Sequence, residues 1–495
     1  MDFGLLLSTH AKESAAQSNG RRLPRQRLLY EALRSAILDG KVAQGSRLPA
    51  TRVLAEELGI ARNSVLYAYE RLAAEGFLEA DRHGSVVAHL GLHAQPSAAL
   101  DRQLSVGLSR RVGGLRNDRE ALEEHVAFRP GLPALDEFPL AQWRAAMERA
   151  WRRVDVTDLG YGGSQGHPSL RRAVADYLKV SRGVRCDVEQ VFITDGTQTG
   201  LDAAARMLAD SDDTAWIENP GYNGARAAFQ SAGLRIVPIP VDAQGIAPTP
   251  AHWQDAPPKL IYITPSHQYP LGSVLGLERR VALIDEARAH GAWIIEDDYD
   301  SEFRHEGPPL SAVQGLAPDA PVFYVGTFSK TLFPALRLGF MVVPAQLANA
   351  IALTMGEITR RGRVADQIAL ADFIDSGMYS RHLRRMRRLY SDRRRALLEA
   401  LERHLRGVVT VSGGAGGMHL TVRLDVPLPD VEISDIALTK GIVVPPVSRY
   451  CLPAEDAGRY NGFVLGYAGV PADEIDGLVA RLADVIDALL AARGR

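Results

Sequence analysis

Lys330 stands in Gly326-Thr327-Phe328-Ser329-Lys330-Thr331, a turn rich in small hydroxyl residues behind the apolar run Val322-Phe323-Tyr324-Val325. Leu336-Arg337-Leu338-Gly339 follows, a cation ahead of a second apolar run. A lysine amine held in such a turn, close to a guanidinium, suits a Schiff base beside a phosphate pocket.

Other parts of such a site occur along the chain. Asp195-Gly196-Thr197-Gln198 joins the strand-like Val191-Phe192-Ile193 to a helix, where backbone N–H groups at a helix start would cradle phosphate. Tyr222, in Asn219-Pro220-Gly221-Tyr222, could cover a flat ring. Glu296-Asp297-Asp298-Tyr299-Asp300 follows the strand-like Trp293-Ile294-Ile295, so its carboxylates reach the end of a strand where ligands bind in parallel sheets. These are the requirements of pyridoxal phosphate: a lysine for the imine, an acid for the pyridine nitrogen, a phosphate cradle and an aromatic cover. Asp297 takes the acid role and Tyr299 the bond to the ring's 3-oxygen, while Thr327 and Arg337 complete the phosphate contacts. A divalent-metal site at the acidic run is the competing idea, but no histidine or second carboxylate cluster has the spacing for it, so no metal is expected.

These residues need a large scaffold. At 495 residues the chain suits two or three domains, and 46% hydrophobic with 23% charged residues is globular composition. No apolar run approaches the roughly 18 residues that span a bilayer. The start, Met1-Asp2-Phe3-Gly4-Leu5-Leu6-Leu7, has no basic leader and a short apolar part, which argues against a signal peptide. Cys186 and Cys451 give neither a disulfide framework nor metal spacing, so a reducing cytoplasm is expected.

From 127 to 495, helical stretches alternate with strand-like runs such as Ala215-Trp216-Ile217 and Leu260-Ile261-Tyr262-Ile263. That rhythm predicts an α/β domain with a mainly parallel sheet, closed by a smaller C-terminal lobe whose last helix lies near 472–491. Residues 91–126 show little periodicity and read as a linker. Residues 20–90 differ again. Leu28, Leu29, Leu33 and Ile37 recur at helical spacing, Thr51 to Leu58 and a segment opening at Ala61 give two further helices, and two short strands flank Gly84. Helix, helix, turn, helix and a β-wing make a winged helix-turn-helix. Residues 21–90 hold 11 Lys and Arg against 8 Asp and Glu, a mildly basic balance that permits DNA binding.

The order Leu48-Pro49-Ala50-Thr51-Arg52, Ala61-Arg62-Asn63-Ser64-Val65 and Glu75-Gly76-Phe77-Leu78 resembles the GntR-type DNA-binding domain. The resemblance implies that Arg52 meets phosphate or a base edge, that Arg62, Asn63 and Ser64 open the recognition helix, and that His83 and Gly84 form the wing tip. Arg62 is a planar fork suited to guanine in the major groove.

Residues 127–495 resemble fold-type I aminotransferases. In Tyr161-Gly162-Gly163-Ser164-Gln165-Gly166 the family's tyrosine reaches the phosphate of a neighbouring subunit, which implies that Tyr161 acts in a homodimer. Pro265-Ser266-His267-Gln268-Tyr269-Pro270-Leu271-Gly272 stands where the enzymes have an Asn-Pro-x-Gly turn; Gln268 or His267 would contact the ring oxygen. The combination of head and body resembles the MocR/GabR subfamily of regulators, as does Phe128-Arg129-Pro130-Gly131-Leu132-Pro133. One departure concerns the substrate carboxylate. Val464, in Gly462-Phe463-Val464-Leu465-Gly466, takes the place of the enzymes' arginine, which removes a bidentate anchor. Arg449 is the substitute candidate, with Arg226 a weaker one. The resemblance implies a DNA-binding regulator that holds pyridoxal phosphate on Lys330 and senses an amino compound or the cofactor itself. A working aminotransferase with a DNA-binding appendage is the alternative.

Overall fold

The computed structural model describes residues 2–17, 23–81, 84–89, 109, 111, 112, 127–307, 309–358, 362–452 and 458–493. It divides into two compact units, Met1–Val106 and Gly107–Arg495. The expected linker lies outside the described residues apart from 109, 111 and 112, and His83 lies outside them too.

The first unit holds α1 (Phe3–Gln17), α2 (Arg25–Leu38), α3 (Thr51–Leu58) and α4 (Arg62–Ala74), then a hairpin of β1 (Leu78–Asp81) and β2 (Gly84–Val87). Leu29, Leu33 and Ile37 of α2 meet Val65, Tyr69 and Leu72 of α4, each set on one helical face. Gly59 ends α3 in the left-handed conformation at φ 60°, which lets the chain turn directly into α4. The hairpin pairs Leu78 with Val87 and Asp81 with Gly84. The segment read as a turn at Gly45–Pro49 also runs along β2: Leu48 N–H donates to Ser85 O at 3.0 Å and Gly45 N–H to Val87 O at 2.8 Å. α1 is only weakly amphipathic, so periodicity does not reveal it, yet Phe3, Leu6 and Leu7 pack on this core.

In the second unit α5 (Leu140–Arg153), α6 (Pro168–Arg182), α7 (Thr197–Leu208) and α8 (Asn223–Ala232) are the early helices. Eight strands form its main sheet: β3 (Val191–Thr194), β4 (Thr214–Asn219), β5 (Arg235–Asp242), β6 (Gly245–Ile246), β7 (Leu260–Ile263), β8 (Trp293–Asp298), β9 (Val322–Thr327) and β10 (Gly339–Val342). Their order is β3-β10-β9-β8-β7-β4-β5-β6. The central run β9-β8-β7-β4-β5 is parallel, while β10 runs antiparallel to both neighbours and β6 antiparallel to β5. β4, β7 and β9 are buried along their whole length, which explains their unbroken apolar runs. Thr194, Asn219, Asp298 and Thr327 therefore end at one edge of the sheet. β8 continues past its apolar start through Glu296, Asp297 and Asp298, so these acids lie in the strand itself.

A smaller lobe holds the antiparallel sheet of β11 (Val409–Ser412), β12 (His419–Leu424) and β13 (Gly462–Gly466), with helices Met378–His404 and Ala472–Arg493. Among the described residues no helix is long and apolar enough to cross a membrane.

Leu33 is fully buried in the first unit, and the chain's tryptophans all lie at or beyond Trp143. Leu33→Ala is expected to cost the head about 2–5 kcal/mol. In urea, unfolding followed by far-ultraviolet circular dichroism should gain an earlier transition, while unfolding followed by tryptophan fluorescence should not move.

Candidate functional site

Lys330 lies in the turn after β9, and its Nζ donates to the carbonyl of Gly131 at 2.8 Å. Gly131 has φ +71°, which favours glycine there, and a Cβ would sit 2.6 Å from that nitrogen and push the lysine end aside. The Arg129–Pro133 segment thus has a local role in holding the lysine.

Asp297 is the penultimate residue of β8 and is buried. Tyr262 O–H donates to its Oδ2 at 2.7 Å, while its Oδ1 has no protein partner. Burial pushes its pKa up to about 7, with the neighbouring Asp298 adding to the rise and Tyr262 and Lys330 opposing it. Its neighbours along the strand have more partners, although Asp298 Oδ1 also has none. Glu296 accepts from the N–H groups of Val313 at 2.8 Å and Gln314 at 2.9 Å. Asp298 pairs with Arg182 Nε at 2.7 Å and accepts from Tyr324 at 2.5 Å.

Gly196 caps the N-terminus of α7 at φ 89°, and the Arg337 guanidinium carbon lies 3.6 Å from where its Cβ would be. The structure therefore brings together Gly196, the first turn of α7 with Thr197 and Gln198, and Arg337. Gln198 also ties this turn to Gly224 O at 2.9 Å, next to Tyr222. Thr327 closes β9 in the turn that carries Lys330, where its Oγ1 accepts from Ser329 N–H at 3.1 Å. Free N–H groups of a helix start beside a guanidinium make an anion cradle.

Aromatic side chains converge around Tyr269. Its ring stands edge-on to Tyr222 (5.9 Å), Tyr299 (6.0 Å), His419 (5.3 Å) and Tyr450 (5.3 Å), and its hydroxyl lies 2.9 Å from that of Tyr450. Tyr299 O–H donates to His267 O at 2.9 Å. His419, on β12, donates from Nε2 to Pro270 O at 3.2 Å and is held well below its ordinary pKa by burial first, then by His267 and Lys330. Sequence reasoning missed His419, Tyr269 and Tyr450. The alternation on β12 was the available signal: His419 and Thr421 share a face, and both donate to Pro270 O. His267, Asp300 and His419 also place potential ligand atoms within 4.8 Å of one another. The two rings lie 4.6 Å apart, tilted by 37°, and His267 Nδ1 lies 3.0 Å from Asp300, an arrangement of hydrogen bonds rather than of convergent metal ligands.

Two expectations need correction. Gln268 does not offer its amide to a ligand: Nε2 donates to Pro220 O at 2.9 Å and Tyr269 O at 2.7 Å, and Oε1 accepts from Leu271 N–H at 3.0 Å. It pins two turns together, and of the two options His267 is the one that touches Tyr299. Arg449 pairs with Asp435 at 2.9 Å on the exposed surface. It sits in a single 3₁₀ turn, Val447–Tyr450, in which consecutive side chains diverge; Tyr450 faces Tyr269, so Arg449 points away. Val464 is fully buried opposite Thr421, with no charge to offer. Arg226 is half-buried on α8.

In the first unit Arg52 and Arg62 line one open cavity of about 380 Å³, with Glu56 and Gly59 on its wall. Arg62 and Asn63 are exposed at the start of α4, Ser64 is half-buried, and Gly84 opens β2. Leu66 and Tyr67, one turn on, are exposed as well and extend the same face.

Residues 25–87 match the family of bacterial regulatory proteins, gntR family, and residues 131–482 match aminotransferase class I and II. The chain is 40% identical over 459 residues to the probable rhizopine catabolism regulatory protein MocR of Rhizobium meliloti, covering 90% of this chain and 91% of that one. The chain belongs to the MocR-type transcriptional regulators. It is also 30% identical over 463 residues to the pyridoxine biosynthesis transcriptional regulator PdxR of Corynebacterium glutamicum, covering 92% and 94% of the two chains. The second unit resembles the α-aminoadipate aminotransferase LysN of Thermus thermophilus, solved with N-(5'-phosphopyridoxyl)-L-leucine. Here the TM-score is 0.69 at 28% identity, covering 78% of this chain and 98% of that one. The regulators' two-part architecture, a GntR-type winged head and an aminotransferase-like body, is therefore that of this chain.

The folded-state pKa of Asp297 lies above its unfolded value of 3.8, so its proton is bound more tightly in the folded protein. That contribution to stability is complete below about pH 4 and is lost as pH rises through about 7. Asp297→Asn removes it. Urea denaturation of cofactor-free protein should show stability falling less steeply between those values in Asp297→Asn than in the wild type.

Proposed function

We propose that this chain is a DNA-binding regulator that carries pyridoxal phosphate on Lys330 and responds to a small amino compound. The observation that carries the reading is Asp297, a buried carboxylate with one oxygen bonded to Tyr262 and the other without a protein partner, electrostatically coupled to Lys330. A pyridine N–H is the donor that suits such an oxygen. The rest of the donor set fits the same group: the start of α7, Thr327 and Arg337 for the phosphate, Tyr222 over the ring, Tyr299 for its 3-oxygen.

When bound, the cofactor supplies a carbonyl carbon that condenses with amines and a ring that withdraws electrons. The protein's part is to hold and discriminate. Asp297 would hold the proton on the ring nitrogen, Lys330 would be the amine that an incoming effector replaces, and the Tyr269 cluster would shape the space open to that effector. Tyr161 is 79% exposed, as suits a residue offered to a second copy, and we assign it to the partner's phosphate in a homodimer. Two heads in such a dimer would read two half-sites. We assign 20–90 to the DNA-binding head, 91–126 to a linker and 127–495 to the effector domain, acting in the bacterial cytoplasm where the DNA is.

The effector can shift DNA binding only through a difference in its affinity for two arrangements of the protein. Val464 and the outward Arg449 leave that effector without the arginine anchor of the enzymes, which argues against efficient turnover of α-amino acids. A second reading, a working aminotransferase, is favoured by the intact Lys330, Asp297 and Tyr299.

Cofactor addition to the wild type should produce a visible absorption band that Lys330→Ala lacks; a wild type without the band overturns the reading. Sustained conversion of an amino acid with a 2-oxo acid would favour the enzyme instead. In DNA-binding titrations, Arg62→Ala should weaken operator binding by about 1–3 kcal/mol, and an unchanged affinity would remove Arg62 from base recognition.

A further inference from the structure

His267 joins Asp300, which the cofactor reading leaves unexplained, to Tyr299, which that reading uses. Its Nδ1 lies 3.0 Å from Asp300 Oδ2 and 3.1 Å from the Tyr299 hydroxyl, and its carbonyl accepts from that hydroxyl at 2.9 Å. His267 and Asp300 are both buried. Asp300 is itself fixed, because Met418 N–H donates to Oδ2 at 3.2 Å. A carboxylate that accepts from Nδ1–H selects the ring tautomer and leaves Nε2 as an acceptor. That Nε2 is buried without a protein partner, and His267 lines a cavity of about 10 Å³, the size that holds one water. Ser301 and Arg304 line the same cavity, and Ser301 Oγ and Arg304 Nε are buried donors without protein partners. A water bridging them to Nε2 would complete the histidine's bonding.

The ring is held from its faces as well. His419 lies against it at 4.6 Å, tilted by 37°, and Tyr299 lies at 6.0 Å with its ring inclined by 30°. A Cβ on Gly417 would come within 2.2 Å of Nδ1, so the backbone also closes tightly around it. The charged and titratable groups facing the His267–Tyr299 pair are Asp297 and Asp300 from their own segment and Glu218, Tyr269 and His419 from the elements packed on it. Arg182 and Arg304 stand across the cavity.

We propose that His267, oriented by Asp300, is a positioning residue that holds the Tyr299 hydroxyl in place to donate to the 3-oxygen of bound pyridoxal phosphate. The proposal rests on the cofactor reading above. Nδ1–H can share its bond with the Tyr299 oxygen, so the phenol keeps its place when its own proton turns from His267 O to the cofactor. Tyr299 alone could swing about its side-chain torsions; the bonds to ring and carbonyl of one residue remove that freedom.

The consequence is readable in the spectrum. When the linkage between Lys330 and the cofactor loses its proton, the 3-oxygen keeps a negative charge without its neighbour's positive one. A donor at that oxygen favours the deprotonated form, so losing the donor raises the pH at which the visible band changes. Tyr299→Phe should therefore raise the midpoint. His267→Phe keeps a ring to lie against His419 but has no nitrogen, and should raise the midpoint in the same direction, by on the order of one pH unit. His267→Asn, whose amide can reach both Asp300 and Tyr299, should restore it most of the way. His267→Phe added to Tyr299→Phe should move it little further, since both act on one bond.

The experiment is a pH titration of visible absorbance on cofactor-loaded full-length wild type and these variants. A His267→Phe midpoint equal to the wild type's, or shifts that add fully in the double variant, would overturn the proposal. A purely structural role would lower cofactor affinity and leave the midpoint alone. If His267→Phe does not fold, His267→Ala carries the same comparison. No visible band in the wild type refutes the cofactor reading instead, which keeps the two failures apart.

Discussion

Three consecutive buried carboxylates at the end of β8 constrain everything around them. An isolated buried carboxylate is costly, so each must find partners within the fold or give up its charge. Strand alternation sends Glu296 and Asp298 to one side and Asp297 to the other. On the first side Glu296 takes two backbone N–H groups and Asp298 takes Arg182 and Tyr324. On the other, Asp297 has one phenol and a second oxygen left over, and its pKa rises to about 7. Asp298 Oδ1 is left over as well, but Asp298 has a guanidinium and Glu296 two backbone donors, whereas Asp297 is held by a single phenol and is the acid most open to a donor from a ligand.

That account explains which parts were legible in the sequence. Lys330, Asp297, Gly196 and Arg337 belong to short segments directly after strands, and parallel strands deliver their ends to one edge. Helical spacing revealed α2, α3 and α4 in the same way. Bond direction is harder to read. Gln268 carries the right amide for a ligand, but two adjoining turns leave backbone carbonyls that need its hydrogens, and these take precedence. Arg449 carries the right charge, but a tight turn gives the inward direction to Tyr450. α1 escaped because its few apolar residues cluster near one end instead of repeating with a helical period.

The smaller lobe contributes more than its sequence suggests. β12 presents His419 and Thr421 on one face, and both bond to the carbonyl of Pro270 in the turn next to Tyr269. Tyr450 reaches the same tyrosine from a different part of the lobe. The walls of the cleft are therefore joined by hydrogen bonds between neutral groups, with Val464 in place of a charge. Neutral contacts of this kind each contribute about 0.5–1.5 kcal/mol, so a ligand can compete with them.

That balance bears on how a sensor differs from an enzyme built on the same fold. An enzyme gains from binding its transition state tightly, whereas a sensor gains only from binding two of its own conformations unequally. A bidentate arginine at the position of Val464 would hold any α-carboxylate in whichever arrangement formed the pair, and would favour amino acids in general. Without it, discrimination falls to the lining: the Tyr222, Tyr269, Tyr299 and Tyr450 hydroxyls, and His419 held neutral by burial and its neighbours. Those groups can donate or accept only at short range and in fixed directions, so they reward one shape of amine over others. The same short range ties recognition to the placement of the smaller lobe, because His419 belongs to β12 while Tyr222 and Tyr299 stand in segments that follow β4 and β8 of the main sheet. A regulatory response requires a ligand that binds two arrangements of the protein unequally, and on the proposed reading contacts to both sets of groups would be the source of that difference.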